Sequence, residues 1–309
     1  MSNKYCVFPG QGSQRYGMGA DLLRSSLFKN KYMKSAIKIL SYEPLEVICD
    51  DKEELLDRTL YAQPALFLVE SAIYMEIFSS RITPDLMIGH SIGEYSAVFC
   101  AGMIDFDEAL WLVKRRAEIM ENENEKNPGA MAAVVGSNLD FALKIISESG
   151  LDVFPANYNS ADQLVISGNK DDVDKVSDEF ARAGFRFIKL KVGVASHSPL
   201  MNESSIELRK ALNTVNFIDP LIKVLSLTTL EPFTKSNVRD LLEDQIKKPV
   251  LFYQGIMKLI SADEEVTFFE VGPSNILTKL INKISGRDLC ISVSGSEATG
   301  TMINNKTVS

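Results

Sequence analysis

Residues 85–101 read DLMIGHSIGEYSAVFCA, and this stretch indicates the fold. Asp85 to Gly89 is a short apolar run typical of a buried strand, while Ile92 to Ala101 has a helical pattern that Gly102 is placed to end. A strand that turns directly into a helix is the repeating unit of a parallel sheet covered by helices. The stretch therefore predicts an α/β fold.

The same order of strand, turn and helix occurs at the start of the chain. Tyr5 to Phe8 is followed by a glycine-rich turn and by a helical stretch from about Met18. Gln63 to Phe78 has the pattern of a mostly buried helix, and two later apolar runs, Ile222 to Leu227 and Val266 to Val271, are expected to join the first sheet as strands. These elements predict a large domain around a largely parallel sheet.

Between residues 127 and 193 the pattern changes to strand, helix, strand, strand, helix, strand, which is the ferredoxin-like order. We therefore predict an α/β-hydrolase-like large domain over residues 1–126 and 194–293, with a small ferredoxin-like subdomain inserted over residues 127–193. The polar end, residues 294–309, is expected to be poorly ordered.

Composition excludes several function classes. The chain has 309 residues and a formal net charge of -8, so it is expected to repel nucleic acid rather than bind it. Its two histidines and four scattered cysteines give no zinc spacing and no disulfide framework, so we expect no metal. We find no leader and no apolar run long enough to cross a membrane, and we expect a cytoplasmic protein.

Gly89-His90-Ser91-Ile92-Gly93 matches the G-x-S-x-G pattern of a nucleophile elbow. The pattern also occurs by chance on surfaces, but here it follows a predicted strand and opens a predicted helix, as the elbow requires. Ser91 is therefore the candidate nucleophile, and the amide of Ile92 at the helix N-terminus can donate to a developing oxyanion.

A serine nucleophile needs a base within hydrogen-bond reach. His197 follows the last strand of the small subdomain and is the better candidate, although a surface histidine is the more common outcome for such a residue. His90 is adjacent to Ser91 in sequence, so its side chain is expected to point elsewhere and to line the cleft or fix the turn.

The turn after the first strand, Phe8 to Gln14, contains Gly10 and Gly12 and could be mistaken for a dinucleotide-binding loop. The match fails because Arg15 occupies the position of the third glycine. The backbone N–H of Gln11 could instead be a second oxyanion donor, and a plain tight turn is the alternative.

The helix predicted over Phe106 to Met120 places Arg116 at the edge of its apolar face, whereas Arg115 points away. A guanidinium at the rim of an apolar site is suited to bidentate capture of a carboxylate. A structural ion pair with a buried Asp or Glu is nearly as good an interpretation of helix geometry alone.

Seven motifs in order resemble the malonyl-CoA:acyl carrier protein transacylases, including the stand-alone, trans-acting acyltransferases of polyketide synthases. The resemblance runs from residue 5 to about residue 285 and rests on Phe8 to Gln14, Gln63-Pro-Ala65, Gly89 to Glu94, Arg116, Gly129-Ala-Met131, Ser196-His197 and Glu270-Val-Gly-Pro273. It implies an α/β-hydrolase-like domain with an inserted ferredoxin-like subdomain and the active site between them.

The resemblance also implies roles for individual residues. Ser91 matches the nucleophile, His197 the base, Gln11 and Ile92 the oxyanion amides, and Arg116 the arginine that pairs with the malonyl carboxylate. Gln63 and Asn159 match positions that line the acyl pocket, and Gln245 matches the residue whose backbone carbonyl orients the histidine. Ser196 stands where malonyl-selective polyketide domains often carry Phe, so it leaves room for an α-methyl group.

The implied reaction is transfer of malonyl from malonyl-CoA to the phosphopantetheine thiol of an acyl carrier protein, with no cofactor beyond the coenzyme A thioester. Acidic carrier proteins would dock on local cations such as Lys189, Lys191, Lys247 and Lys248. The alternatives are an acyl hydrolase of the same fold and a catalytically inactive docking scaffold. A monomer is the default expectation.

Overall fold

The computed structural model describes residues 3–50, 54–78 and 82–295. Its strands form one parallel and one antiparallel sheet. The strands are β1 (Lys4–Phe8), β2 (Leu86–Gly89), β3 (Gly129–Val135), β4 (Val153–Ser160), β5 (Gln163–Asn169), β6 (Arg186–Lys189), β7 (Lys223–Leu225), β8 (Thr267–Val271) and β9 (Cys290–Val293).

The helices lie between these strands along the chain, with several in succession between β1 and β2. They are α1 (Ala20–Leu23), α2 (Ser26–Phe28), α3 (Lys34–Leu40), α4 (Pro44–Asp50), α5 (Thr59–Ile73), α6 (Gly93–Cys100), α7 (Phe106–Lys126), α8 (Leu139–Ser149), α9 (Lys170–Arg182), α10 (Asn202–Leu212), α11 (Val238–Lys247), α12 (Phe252–Ala262) and α13 (Ile276–Ser285). Short π-helical segments cover Lys29–Met33 and Tyr74–Phe78, and 3₁₀ turns cover Leu55–Asp57 and Pro199–Met201.

The parallel sheet has the strand order β7-β2-β1-β8-β9, with β1 at its centre. Successive residues of β1 enter opposite apolar clusters: Cys6 and Phe8 pack on one face, and Tyr5 and Val7 pack on the other. A strand covered on both faces needs apolar side chains at every position, which is why β1 is a continuous apolar run. The predicted parallel α/β architecture is confirmed.

The antiparallel sheet has the order β4-β5-β3-β6, which is the ferredoxin-like order. Ala132 and Val134 of β3 face the apolar cluster under α8 and α9, while Met131 and Ala133 face the opposite side. One face of this sheet is thus left to line a cleft against the parallel sheet. The exact division at residues 126 and 194 stays a prediction.

Some sequence boundaries were wrong. The helix predicted from Gln63 begins at Thr59, one turn earlier, with Pro64 inside it rather than near its first turn. The last strand of the small subdomain, which the sequence pattern predicts over Phe185 to Val192, is only the four residues of β6. Helix α10 and strand β9 were not predicted from the sequence. The tail predicted to be poorly ordered lies outside the described residues from position 296 onward. No helix in the described ranges is long and apolar enough to span a membrane.

Candidate active site

Ser91 lies in a sharp turn between β2 and α6 with a left-handed backbone, at φ 53°. Non-glycine residues rarely adopt this conformation, and it raises the side chain off the end of the sheet. The flanking glycines are required by close packing: a Cβ on Gly89 would lie 2.1 Å from the amide nitrogen of Glu94, and one on Gly93 would lie 2.2 Å from the carbonyl oxygen of Phe8. The turn has the strained geometry that the G-x-S-x-G pattern predicts.

His197 lies beside this serine, with Nε2 2.8 Å from the Ser91 hydroxyl oxygen. Its other ring nitrogen, Nδ1, lies 2.7 Å from the backbone carbonyl oxygen of Gln245. Because a carbonyl can only accept, Nδ1 carries the hydrogen and Nε2 presents its lone pair to the serine O–H. His197 also has a left-handed backbone, at φ 61°.

The environment of His197 keeps its ring neutral. Burial, followed by the positive charge of Arg116 and the ring of His90, lowers the pKa of His197 to about 3. Burial also lowers the pKa of His90. A neutral imidazole with its lone pair on the serine hydroxyl is the protonation state that a general base requires.

Arg116 on α7 points into the same site. Its Nη1 donates to Oε1 of Gln63 at 2.6 Å, and its Nη2 donates to Oε1 of Gln245 at 3.1 Å and to the Ser91 hydroxyl at 3.2 Å. The ring of Tyr95 lies below the guanidinium, with its centroid 5.7 Å from Cζ.

The predicted inward direction of Arg116 is confirmed, but its predicted place at the rim is wrong. The side chain is only 1% exposed, because Phe106 to Lys126 is buried along the whole face that carries it. No carboxylate in the described part of the chain forms an ion pair with Arg116, so the alternative of a structural ion pair is not found. Within the same residues its Nε has no hydrogen-bond partner. The guanidinium therefore keeps unused donor capacity.

Two residues predicted to line the cleft or the acyl pocket, His90 and Ser196, contact different parts of the antiparallel sheet. Nε2 of His90 lies 3.2 Å from Oδ1 of Asn159, which joins the serine turn to the antiparallel sheet. Ser196 is buried, and its hydroxyl lies 3.2 Å from Sδ of Met131 on β3. The His90 ring is therefore directed at Asn159 and not at the Ser91 hydroxyl, as predicted.

The predicted oxyanion donors have free amides. Within the described residues, neither the backbone N–H of Gln11 nor that of Ile92 donates to another group. The side chain of Gln11 is held separately, by a hydrogen bond from Nε2 to the Thr59 hydroxyl at 3.2 Å. Both amides can therefore donate a hydrogen bond to a negatively charged oxygen, and that of Ile92 directly follows Ser91.

A cleft of about 430 Å³ opens between the two sheets. Its wall includes the loop after β1, His90 beside the nucleophile, residues of β4 and β5, the segment after β6, and one face of α13. Prominent lining residues are Gln11, His90, Asn159, Lys189, Lys191 and Leu280. The cleft reaches His90, the residue before Ser91 in the chain, and its size is in the range of small-molecule sites.

The four cations expected near the cleft differ in position. Lys189 and Lys191 line it and pair with Asp174 and Asp57 respectively. Lys247 and Lys248 lie outside the set that lines this cleft, and both pair with carboxylates of their own helix, α11.

Glu94 ends the motif Gly89 to Glu94 but was given no role from the sequence. It is buried on α6, three residues after Ser91. Its carboxylate accepts hydrogen bonds from the Gln245 side chain and from the Leu227 amide, both at 2.7 Å. It is the only charged residue in an otherwise apolar or small helix, Gly93–Cys100, and that isolation was a signal available in the sequence.

The chain is similar to known proteins over most of its length. Residues 5–308 match the family described as acyl transferase domain. The chain is 34% identical over 302 residues to a malonyl CoA-acyl carrier protein transacylase of Bacillus subtilis (strain 168), which covers 96% of this chain and 95% of the relative. It is 37% identical over 282 residues to the polyketide biosynthesis malonyl CoA-acyl carrier protein transacylase PksC of the same strain, covering 90% and 96%.

The chain also superposes on solved structures of transacylases. A malonyl CoA-acyl carrier protein transacylase from Coxiella burnetii superposes with a TM-score of 0.90 at 31% identity, covering 96% of each chain. A chain from the complex of a type II PKS acyl-carrier protein with its malonyl-transacylase gives a TM-score of 0.89 at 32% identity, covering 96% of this chain and 98% of the other.

Proposed function

The chain belongs to the acyl transferase domain family, and we propose that it transfers a malonyl group from malonyl-CoA to the phosphopantetheine thiol of an acyl carrier protein. The single observation that carries the proposal is the joint hydrogen bonding of Ser91 to His197 and to Arg116. A nucleophile with a base and a buried guanidinium within reach suits an acyl group that ends in a carboxylate. The names of the relatives support the same substrates.

In the first half-reaction, Ser91 passes its hydroxyl proton to Nε2 of His197 as its oxygen attacks the thioester carbonyl. The amides of Gln11 and Ile92 hold the tetrahedral oxyanion. The C–S bond then breaks, the coenzyme A thiolate takes the proton from His197, and the malonyl group remains as an ester on Ser91.

The second half-reaction reverses these roles. The phosphopantetheine thiol gives its proton to His197, and its sulfur attacks the ester carbonyl. The C–O bond to Ser91 breaks, and the serine oxygen recovers the proton from His197. No water takes part, so the acyl group is conserved as a thioester.

Arg116 supplies the selection for a free carboxylate. The guanidinium is held by the amide oxygens of Gln63 and Gln245, which are neutral, so its charge is not cancelled by direct contact. A malonyl carboxylate would cancel it, whereas an acetyl group would leave a buried cation unpaired. Ser196 in place of a larger residue leaves the exclusion of methylmalonyl incomplete.

The hydrolase alternative is not favoured, because the relatives compared are named as transacylases and a hydrolase has little use for a carboxylate clamp. For the carrier protein, Lys189 and Lys191 at the cleft are the proposed docking cations. A cytoplasmic location stays a prediction, with which four free cysteines are compatible, and so does a monomer.

The test is intact-protein mass spectrometry. The purified protein is mixed with malonyl-CoA, and a holo acyl carrier protein is then added. We expect a malonyl adduct that is lost in Ser91→Ala and that passes to the carrier. An adduct that decays to free malonate, or that forms only with neutral acyl groups, would contradict the proposal.

A further inference from the structure

We propose that Glu94 is a positioning residue for acyl selection: it fixes the orientation of the Gln245 side-chain amide and, through that amide, holds Arg116 ready for the acyl carboxylate. The inference rests on the proposed function and adds a residue and a mechanism to it.

The position of Glu94 is tightly defined. It lies in the first turn of α6, three residues after Ser91, and is 1% exposed. One carboxylate oxygen, Oε1, accepts from the backbone N–H of Leu227 at 2.7 Å, and the other, Oε2, accepts from Nε2 of Gln245 at 2.7 Å. Both oxygens are thus engaged by donors that come from other elements.

The Gln245 amide is oriented by what surrounds it. Its Nε2 donates to Glu94 and also to the backbone carbonyl oxygen of Ser91, at 2.8 Å. A carboxylate and a carbonyl can only accept, so the NH₂ end of the amide must face them. The carbonyl end, Oε1, is therefore directed to Arg116, whose Nη2 donates to it at 3.1 Å.

This relay keeps Arg116 charged and available. A carboxylate in direct contact would satisfy the guanidinium and compete with the acyl carboxylate for the same donors. With the amide of Gln245 between them, the charge of Glu94 still stabilises the buried cation, but the contact itself is with a neutral oxygen. The backbone carbonyl of Gln245 also holds His197, so the clamp and the base depend on one residue.

Replacing Glu94 by Gln tests the relay because the shape is conserved. The NH₂ group of the new side chain must face either the Leu227 N–H or the Gln245 NH₂. In either arrangement two hydrogen-bond donors point at each other, which is unfavourable. Rotation of the Gln245 amide by half a turn relieves the second contact but directs its NH₂ group at Arg116. Burial raises the pKa of Glu94 to about 7, whereas hydrogen bonds from Gln245 and Leu227 favour its charged form, so the comparison is made at pH 8.

The experiment compares rates of Ser91 acylation by malonyl-CoA and by acetyl-CoA in wild type, Glu94→Gln and Glu270→Gln. Glu270 is the matched control, since it is fully buried and accepts hydrogen bonds from the Thr278 amide and hydroxyl, away from Gln245. We expect Glu94→Gln to lower kcat/KM for malonyl-CoA by about 10- to 100-fold, mainly through KM, and for acetyl-CoA by less than about threefold. Glu270→Gln should leave the ratio of the two unchanged.

A second variant covers the case in which Glu94→Gln does not fold. Gln245→Met keeps the volume and the backbone carbonyl that holds His197 but removes the amide, so it should lose the same preference for malonyl. An unchanged ratio in the folded variants, or equal loss for both substrates, would overturn the role of Glu94. A wild type that malonyl-CoA does not acylate would instead overturn the proposed function itself.

Discussion

Arg116 donates a hydrogen bond to the Ser91 hydroxyl, with 3.2 Å between Nη2 and Oγ, while that hydroxyl also lies 2.8 Å from Nε2 of His197. The Ser91 hydroxyl is therefore within hydrogen-bond distance of the imidazole and of the guanidinium at the same time. An acyl carboxylate that binds Arg116 competes for the same donor. In the proposed reaction, recognition of the acyl carboxylate and release of the Ser91 hydroxyl would therefore depend on the same side chain, Arg116.

Replacing Arg116 by Ala should change the acyl preference rather than abolish the chemistry. Loss of one partner from a buried charge pair costs about 2–5 kcal/mol, which corresponds to a fall of roughly 30-fold or more in kcat/KM for malonyl-CoA. Acetyl-CoA makes no such pair, so its acylation of Ser91 should fall little or rise. Competition between the two donors, read by mass spectrometry, measures the ratio.

The neighbouring arginine is the control for that variant. Arg115 is half-exposed and pairs with Glu118 on its own helix. Arg115→Ala should therefore leave the ratio of malonyl to acetyl unchanged. Equal ratios in the two variants would exclude Arg116 as the carboxylate clamp.

The low pKa of His197, about 3, predicts that its ring stays neutral far below the range of an ordinary histidine. The base works in its neutral form, so the rate at which phenylmethylsulfonyl fluoride modifies Ser91 should be nearly constant from pH 8 to pH 5. A histidine of pKa 6.5 would lose roughly 30-fold over the same interval. This neutral reagent does not need the carboxylate clamp, so its rate reports the base alone.

The same measurement tests the cause of the shift. Burial contributes most, and the charge of Arg116 comes next. Arg116→Ala removes that charge, so the pKa of His197 should rise and the fall in rate on acidification should move to higher pH. A wild-type rate that halves near pH 6.5 would contradict the assignment.

Gly93→Ala should damage the serine turn. The added Cβ would lie 2.2 Å from the carbonyl oxygen of Phe8 and 2.7 Å from that of Pro9, and neither backbone atom can move without shifting β1. Overpacking of this kind costs about 1–3 kcal/mol or more of stability. Denaturant unfolding and the rate of Ser91 modification should both report the loss.

Gly295 provides the comparison. Among the residues that the structure describes, a Cβ on Gly295 would meet nothing within 4 Å, and its backbone is not left-handed. Gly295→Ala should therefore keep the midpoint of unfolding and the rate at Ser91. If Gly93→Ala behaved the same way, the close approach of the turn to β1 would be wrong.

Lys191→Glu should weaken use of the carrier protein. The side chain is exposed at the cleft wall beside Asp57, where reversal of its charge would repel an acidic partner. We expect a higher KM for the carrier at low ionic strength and a smaller effect at high salt, where exposed charges are screened. Steady-state transfer at several salt concentrations measures it.

Lys248→Glu is the matched substitution away from the cleft, since Lys248 pairs with Asp244 on α11. It should raise the KM for the carrier less than Lys191→Glu does. Equal effects, or no dependence on salt, would place docking elsewhere.

The sequence predicted the elements that depend on local pattern. The apolar runs at β1 and β2, the order of strands in the antiparallel sheet and the turn around Ser91 all follow from periodicity and glycine placement, and the structure has them. His197 was identified because a serine nucleophile needs a base and few histidines were available. These inferences rest on residue chemistry and short-range spacing.

Contacts between distant segments were not predictable in the same way. Arg116 donates hydrogen bonds to Gln63 and Gln245, which lie 53 and 129 positions away in sequence. Glu94 is bound by Gln245 and Leu227, and nothing local in α6 specifies those partners. Sequence periodicity gives the direction of a side chain from its own helix, but only the packed fold shows what it meets.

The central place of β1 has a consequence for synthesis on the ribosome. Lys4–Phe8 is translated before the other described strands, whereas its neighbour β8, Thr267–Val271, is the last but one of them. At about 5–20 residues per second, one edge of β1 waits roughly 13 to 50 seconds for its partner. Ser91 is likewise made long before His197 and Gln245, so a growing chain holds a nucleophile without its base. An unfinished chain therefore exposes the unpaired edge of a strand, which a chaperone would cover. Because the proposed base is not yet in place, such a chain would not react with malonyl-CoA.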